Sequence, residues 1–128
     1  FPFRKRASAI DVELDDGTTD DAYLATLATV LPRAIDRARP DLAVYLAGAD
    51  PFEGDRLGRL GLTKAGLADR DRMVLDRLGA LGIPVAIAMA GGYAEDVDDV
   101  VDIHVATVAL ALERAGALPC AEAAVAAC

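Results

Sequence analysis

Two apolar runs stop abruptly at small residues and then present a single polar side chain, and no other feature of the chain limits its fold as tightly. The first runs from Leu42 to Ala47 and continues through Gly48-Ala49-Asp50-Pro51. The second runs from Val85 to Ala90 and continues through Gly91-Gly92-Tyr93. Short continuous apolar runs bounded by turn residues read as strands buried on both faces of a parallel sheet. Between them, Leu67, Val74, Leu75, Leu78 and Leu81 recur at helical spacing, so a helix over about Thr63 to Gly82 is expected, with Gly82 as terminator. Strand, helix and strand in that order form a βαβ unit, whose two strands lie parallel and usually side by side, about 4.8 Å apart. Asp50 and Tyr93 are then expected at one edge of the sheet, where open α/β sheets take their ligands.

The remaining segments extend this pattern. Ser8 to Leu14 alternates apolar and polar residues and reads as a half-buried strand, closed by a turn at Asp15-Asp16-Gly17-Thr18. From Thr19 to Pro40 a helix is expected, with Tyr23, Leu24, Leu27, Val30, Leu31 and Ile35 on one side, Thr19 as N-cap, and Asp20 and Asp21 complementing the helix dipole. Asp50 to Leu62 forms a Gly-rich loop too long for a plain connector and is expected to be functional. Glu95 to Ala115 reads as a final helix with Val97, Val100, Val101, His104, Val105, Val108 and Leu112 turned inward. The Ala-rich run from Cys120 to Cys128 reads as a last helix or a frayed end.

Charge and composition narrow the function classes. With 128 residues, 54% of them hydrophobic and 27% charged, the chain has enough material for one globular domain over residues 1–128 and too little for two. A net charge of −8 argues against a nucleic-acid partner, which needs clustered Lys and Arg, and would weakly attract a basic substrate such as a lysine side chain or polyamine. Two cysteines are too few for a disulfide scaffold, so a cytoplasmic location is expected. No stretch approaches the roughly 20 apolar residues of a membrane span, and no oligomeric state is readable. Without an initiator Met, the chain reads as the later part of a longer protein. Sheet edges left uncovered in such a piece would promote oligomers or poor solubility.

At the two strand ends, residue chemistry points to half of a metal-dependent hydrolase site. Asp50 is a hard oxygen donor held out of helical geometry by Pro51. Tyr93 can aim its phenol at a polarised carbonyl, as an oxyanion stabiliser does. Gly91 and Gly92 let backbone and ligand approach closely, which makes Gly91, Gly92 and Tyr93 the expected substrate-binding positions. Alternatively, Asp50 is only a loop acceptor and Tyr93 an aromatic at a loop tip. His104, among valines at helical spacing, reads as a core histidine with a hydrogen-bonded ring. The acidic group Glu95, Asp96, Asp98, Asp99 and Asp102 lacks the Gly and spacing of an EF-hand loop and reads as helix-start chemistry.

Gly48-Ala49-Asp50-Pro51-Phe52-Glu53-Gly54-Asp55-Arg56-Leu57-Gly58-Arg59-Leu60-Gly61-Leu62-Thr63, Met89-Ala90-Gly91-Gly92-Tyr93, the opening Phe1-Pro2-Phe3-Arg4-Lys5 and the segment from Asp11 to Asp21 together resemble the histone deacetylase family, most closely its bacterial, class IV-like branch. The likeness runs to about Leu112. It implies the C-terminal part of a parallel-sheet, three-layer arginase-deacetylase α/β fold, and hydrolysis of an N-acetyl amide such as acetyl-lysine or an acetylpolyamine. It also implies a zinc ion held by two aspartates and a histidine, a histidine pair activating water, and a tyrosine polarising the acetyl carbonyl. Asp50 falls on the second aspartate ligand and Tyr93 on the catalytic tyrosine. The other ligands and the histidine pair would lie upstream of Phe1, so the chain alone is expected to be inactive. Zinc is the implied metal; mixed carboxylate and imidazole sets also accept iron. A non-enzymatic α/β module, a degenerate or partner-binding copy, is the other reading.

Overall fold

β1 (Ala43–Gly48) and β2 (Val85–Ala90) pair in parallel with Ala43 opposite Val85 and Gly48 opposite Ala90, so both strands end at the same level. The computed structural model of the chain describes residues 7–117. Around the strand pair run α1 (Asp20–Ala38), α2 (Lys64–Ala80) and α3 (Val97–Ala117). The βαβ unit expected from the two apolar runs is present, with bounds within a residue or two of the sequence reading.

The helices cover one face of the sheet. Ala43, Tyr45 and Val85 meet Leu27, Leu31 and Ile35 of α1 and Val74 and Leu78 of α2. A second cluster, Ala49, Phe52, Leu62, Leu67 and Ile103, lies under the ends of the strands. On the opposite face Val44 and Leu46 are 67% and 65% exposed. The expectation that both strands are buried on both faces is therefore wrong for the described residues, which place a helical layer on one side only.

Local chemistry explains the helix ends. Thr63 caps α2, its hydroxyl accepting from the Gly66 N–H at 3.0 Å. That hydroxyl in turn donates to Asp20 at 2.7 Å, and the Thr63 N–H donates to the same carboxylate at 2.9 Å. Asp20 therefore joins the start of α1 to the start of α2, in addition to its place at the helix dipole. Thr19, expected to cap α1, makes no side-chain cap bond and instead bridges to Gly61. α1 stops where Arg39 turns left-handed at φ 43°, just before Pro40. Gly82, at φ +67°, closes α2 and lets the Ile83 N–H return to the Leu78 carbonyl at 3.0 Å.

Four further expectations are corrected. Ser8 to Leu14 is not a strand: the Ser8 N–H and hydroxyl bond to the Asp11 carboxylate in a local turn, and no partner strand lies beside the segment among the described residues. On α2, Leu81 is exposed at the helix end, outside the buried stripe. On α3, the buried stripe is Ile103, Thr107 and Leu110 with Val100 partly buried, while Val97, Val101, Val105, Val108 and Leu112 are exposed. An apolar helix carries two candidate stripes, and periodicity alone picked the wrong one. Val101, Val105, Val108 and Leu112 of the exposed stripe, with Met89, line an open apolar groove of about 490 Å³. His104 sits in its wall with a buried Nδ1 that has no hydrogen-bond partner, unlike the bonded core histidine expected. The segments before residue 7 and from Cys120 to Cys128 lie outside the described residues.

Arg70 and Asp71 form a charged node beneath the sheet, with Asp71 1% exposed. Arg70 Nε donates to Asp71 at 2.8 Å and its Nη1 donates to the Gly48 carbonyl at 2.8 Å. The Tyr45 and Thr107 hydroxyls also donate to Asp71, and the guanidinium lies 5.9 Å from the Tyr45 ring centre. Burial and its hydrogen bond to Asp71 push the Tyr45 phenol well above its ordinary range, despite the opposing charge of Arg70. At the surface, Lys64 bridges Asp99 and Asp102 at 2.7 Å each, so the acidic start of α3 is tied to α2.

The uncovered sheet face and the groove along α3 predict self-association of residues 1–128 expressed alone. Sedimentation velocity should show oligomers that shift toward monomer on Val105→Glu; a monomeric wild-type chain at high concentration would contradict this.

Candidate active site

Asp50 stands on a short turn whose neighbours are buried. Ala49 is 1% exposed and its N–H donates to both the Ala90 and Gly91 carbonyls, at 3.1 and 3.3 Å, stitching the end of β1 to the end of β2. Phe52 is buried in the core, and its N–H returns to the Ala49 carbonyl at 3.0 Å. Asp50 itself is exposed. Its carboxylate accepts no hydrogen bond from the described residues.

Three glycines make room for it. A Cβ on Gly48 would come within 2.6 Å of Asp50 Oδ1, and one on Gly91 within 2.8 Å of its Cγ and Oδ1. A Cβ on Gly58 would fall 1.8 Å from the Asp50 carbonyl oxygen. Gly91 and Gly92 take φ +57° and +133°, conformations that other residues rarely adopt. The carboxylate of Asp50 thus packs between the last residue of β1 and the first residue after β2.

Tyr93 follows on the same rim and is 56% exposed. Its N–H donates to Asp55 Oδ2 at 2.5 Å. Its carbonyl accepts from the Arg56 N–H at 3.2 Å and from Arg56 Nε at 3.1 Å. Asp55 Oδ1 also accepts from the N–H groups of Leu57 and Gly58, at 2.8 and 2.6 Å. Partial burial would raise the Asp55 pKa, but the N–H groups of Gly58, Tyr93 and Leu57 and the charge of Arg56 outweigh it and hold the carboxyl below its ordinary value.

Asp50, Gly91, Gly92 and Tyr93 therefore share one rim, as the strand pairing required. His104 does not join them; it lines the groove along α3, whose walls include none of the four. Sequence reasoning missed Asp55 and Arg56 as the residues holding Tyr93, and missed Arg70 and Asp71. Asp71 sits four residues after Leu67 and three before Val74, inside the buried stripe, which is the signal that could have found it. Among the described residues no three His, Cys, Asp or Glu side chains converge as a metal site. As a hard, unbonded oxygen donor Asp50 fits one ligand position, and the described residues do not fill the others.

The α/β architecture of this chain has counterparts among solved structures. The HD domain of HDA15 matches with a TM-score of 0.60 and 26% identity over 77% of this chain and 27% of that one. Acetylpolyamine aminohydrolase from Burkholderia pseudomallei matches with a TM-score of 0.63 and 21% identity over 79% of this chain and 28% of that one, a likeness of fold. These neighbours have the arginase-deacetylase fold, and this chain has the same α/β architecture. The histone deacetylase domain model matches residues 3–108, and the chain belongs to that family. An uncharacterized protein of Picosynechococcus is 44% identical over 104 residues, and histone deacetylase 2 of Arabidopsis thaliana 38% identical over 96 residues. The chain spans 35% and 25% of the lengths of these two relatives. No helix among the described residues is long and apolar enough to cross a membrane.

The glycine cradle yields a stability test. Gly91→Ala should cost about 1–2 kcal/mol for a left-handed alanine plus the cost of displacing Asp50, whereas Gly17→Ala, at φ +76° with nothing within 4 Å, should carry only the first cost. Urea unfolding of both variants measures the difference; equal losses would show that Asp50 does not depend on the cradle.

Proposed function

We propose that the chain contributes part of the site of a metal-dependent deacetylase that hydrolyses an N-acetyl amide, with acetyl-lysine or an acetylpolyamine as substrate. Asp50 serves as one carboxylate ligand, Tyr93 donates its hydroxyl to the acetyl carbonyl oxygen, and Gly91 and Gly92 form the backbone floor beside it. The observation that carries this proposal is an unbonded carboxylate and an exposed tyrosine on loops that leave one rim of the sheet, in a chain of the deacetylase family. Zinc, or iron in its place, would supply Lewis-acid polarisation and an acidified water.

The role of this chain in hydrolysis is electrostatic. When water adds to the amide carbonyl, negative charge grows on the oxygen, and a hydroxyl already aimed at it stabilises the transition state more than the ground state. Loss of the C–N bond then gives acetate and a free amine. The free amine of lysine or a polyamine is cationic at neutral pH and is compatible with the net charge of −8. The function calls for an acetylated protein or small molecule in the cytoplasm, and for neither nucleic acid nor membrane. The remaining ligands and the general base belong to residues other than those described.

In the zinc-loaded full-length enzyme, Tyr93→Phe should lower kcat about 100-fold or more while metal stays bound, and Asp50→Ala should lose both metal and activity. Unchanged turnover in the first, or full metal occupancy in the second, would favour a non-enzymatic module.

A further inference from the structure

We infer that Asp55, with Arg56, is the positioning residue that sets the catalytic tyrosine, and that one carboxylate thereby couples the loop carrying Asp50 to the loop carrying Tyr93. The inference rests on Tyr93 acting as the oxyanion donor.

Tyr93 needs an external anchor. It follows two glycines at positive φ, a segment with more backbone freedom than any other pair of residues would give. The residue is more than half exposed, so packing alone does not fix it. What fixes it is the peptide on either side of its Cα. The N–H is held by Asp55 Oδ2 and the carbonyl is held by two donors of Arg56, and Asp55 and Ala94 form an antiparallel bridge at the same point. With both peptide planes pinned, the direction of the Cα–Cβ bond is set, and the phenol is restricted to the few staggered positions that this bond allows.

The same carboxylate organises the other loop. Asp55 Oδ1 takes the N–H groups of Leu57 and Gly58, and Gly58 packs directly on the Asp50 carbonyl with no space for a side chain. Asp55 is thus one bond from Tyr93 and one residue contact from Asp50. The charge is needed: three N–H donors converge on two oxygens, and hydrogen bonds to an ionised acceptor are roughly twice as strong as neutral ones. The depressed pKa of Asp55 agrees with this. An asparagine of the same shape keeps one acceptor oxygen and turns an NH2 group toward an N–H donor, so one of the two loops must let go.

The test is a double-mutant cycle in the zinc-loaded full-length enzyme, using Asp55→Asn, Tyr93→Phe and the pair. A small misplacement of a reacting group can cost on the order of 100-fold, so Asp55→Asn should lower kcat by about 10- to 100-fold with KM within about twofold and metal content unchanged. In the Tyr93→Phe background the same change should cost less than about twofold. In the metal-free protein, amide hydrogen exchange at Tyr93 should speed up. Should Asp55→Asn fail to fold, Arg56→Ala keeps the test, with a smaller loss of kcat that also vanishes in the Tyr93→Phe background. A loss that persists undiminished in that background, an unchanged kcat, or unchanged exchange at Tyr93 would overturn the inference. An unaffected Tyr93→Phe enzyme would instead remove the oxyanion role, and this inference with it.

Discussion

β1 and β2 end opposite one another, Gly48 beside Ala90, and the Ala49 N–H closes the pair by bonding to the carbonyls of both Ala90 and Gly91. The two loops that follow must therefore leave from one rim. A slip of one residue would swing every side chain of a strand to the other face. It would turn Tyr45 away from Asp71 and move Asp50 off its place beside Gly91. The register is consequently a condition for the site as much as for the core.

Arg70 and Asp71 reinforce that register from below. The Gly48 carbonyl lies at the end of the ladder, and Arg70 satisfies it while being held by Asp71, which also accepts from Tyr45 on β1 and Thr107 on α3. Sheet, α2 and α3 thus meet at one carboxylate. Buried ion pairs add little net stability compared with apolar packing, yet breaking one costs about 3–5 kcal/mol. Such a node favours one arrangement over near alternatives, and here that arrangement places the residue two positions before Asp50.

Much of this was legible in the sequence. The two apolar runs, their parallel pairing, α2 with its Gly82 terminator, and the shared rim of Asp50 and Tyr93 follow from periodicity and from the rule for βαβ units. Ser8 to Leu14 misled because alternation over seven residues is also compatible with an extended segment turned by Ser8 and Asp11. The face of α3 misled because apolar residues line two sides of it, valines on one and Ile103 and Leu110 on the other, and which side is covered depends on contacts distant in sequence. Asp55 and Arg56 escape a sequence reading for the same reason: their bonds to Tyr93 span 38 and 37 residues. Asp71 is marked by its place in the α2 stripe, but its partners Tyr45 and Thr107 lie 26 and 36 residues away. The family likeness is what suggests, beyond periodicity, the roles proposed for Asp50 and Tyr93.

The exposed face of the sheet, with Val44 and Leu46, and the groove along α3 agree with a chain that spans about a third or less of its relatives. The central claim is that Asp50 and Tyr93 address one metal-bound acyl group, and a crystal structure of the full-length protein with metal and an acetyl-lysine analogue tests it most directly. The expected result is an Asp50 oxygen about 2.0–2.2 Å from the metal and the Tyr93 hydroxyl about 2.5–3.0 Å from the acetyl oxygen. A metal seated without Asp50, or a phenol turned away from the acetyl group, would contradict the account.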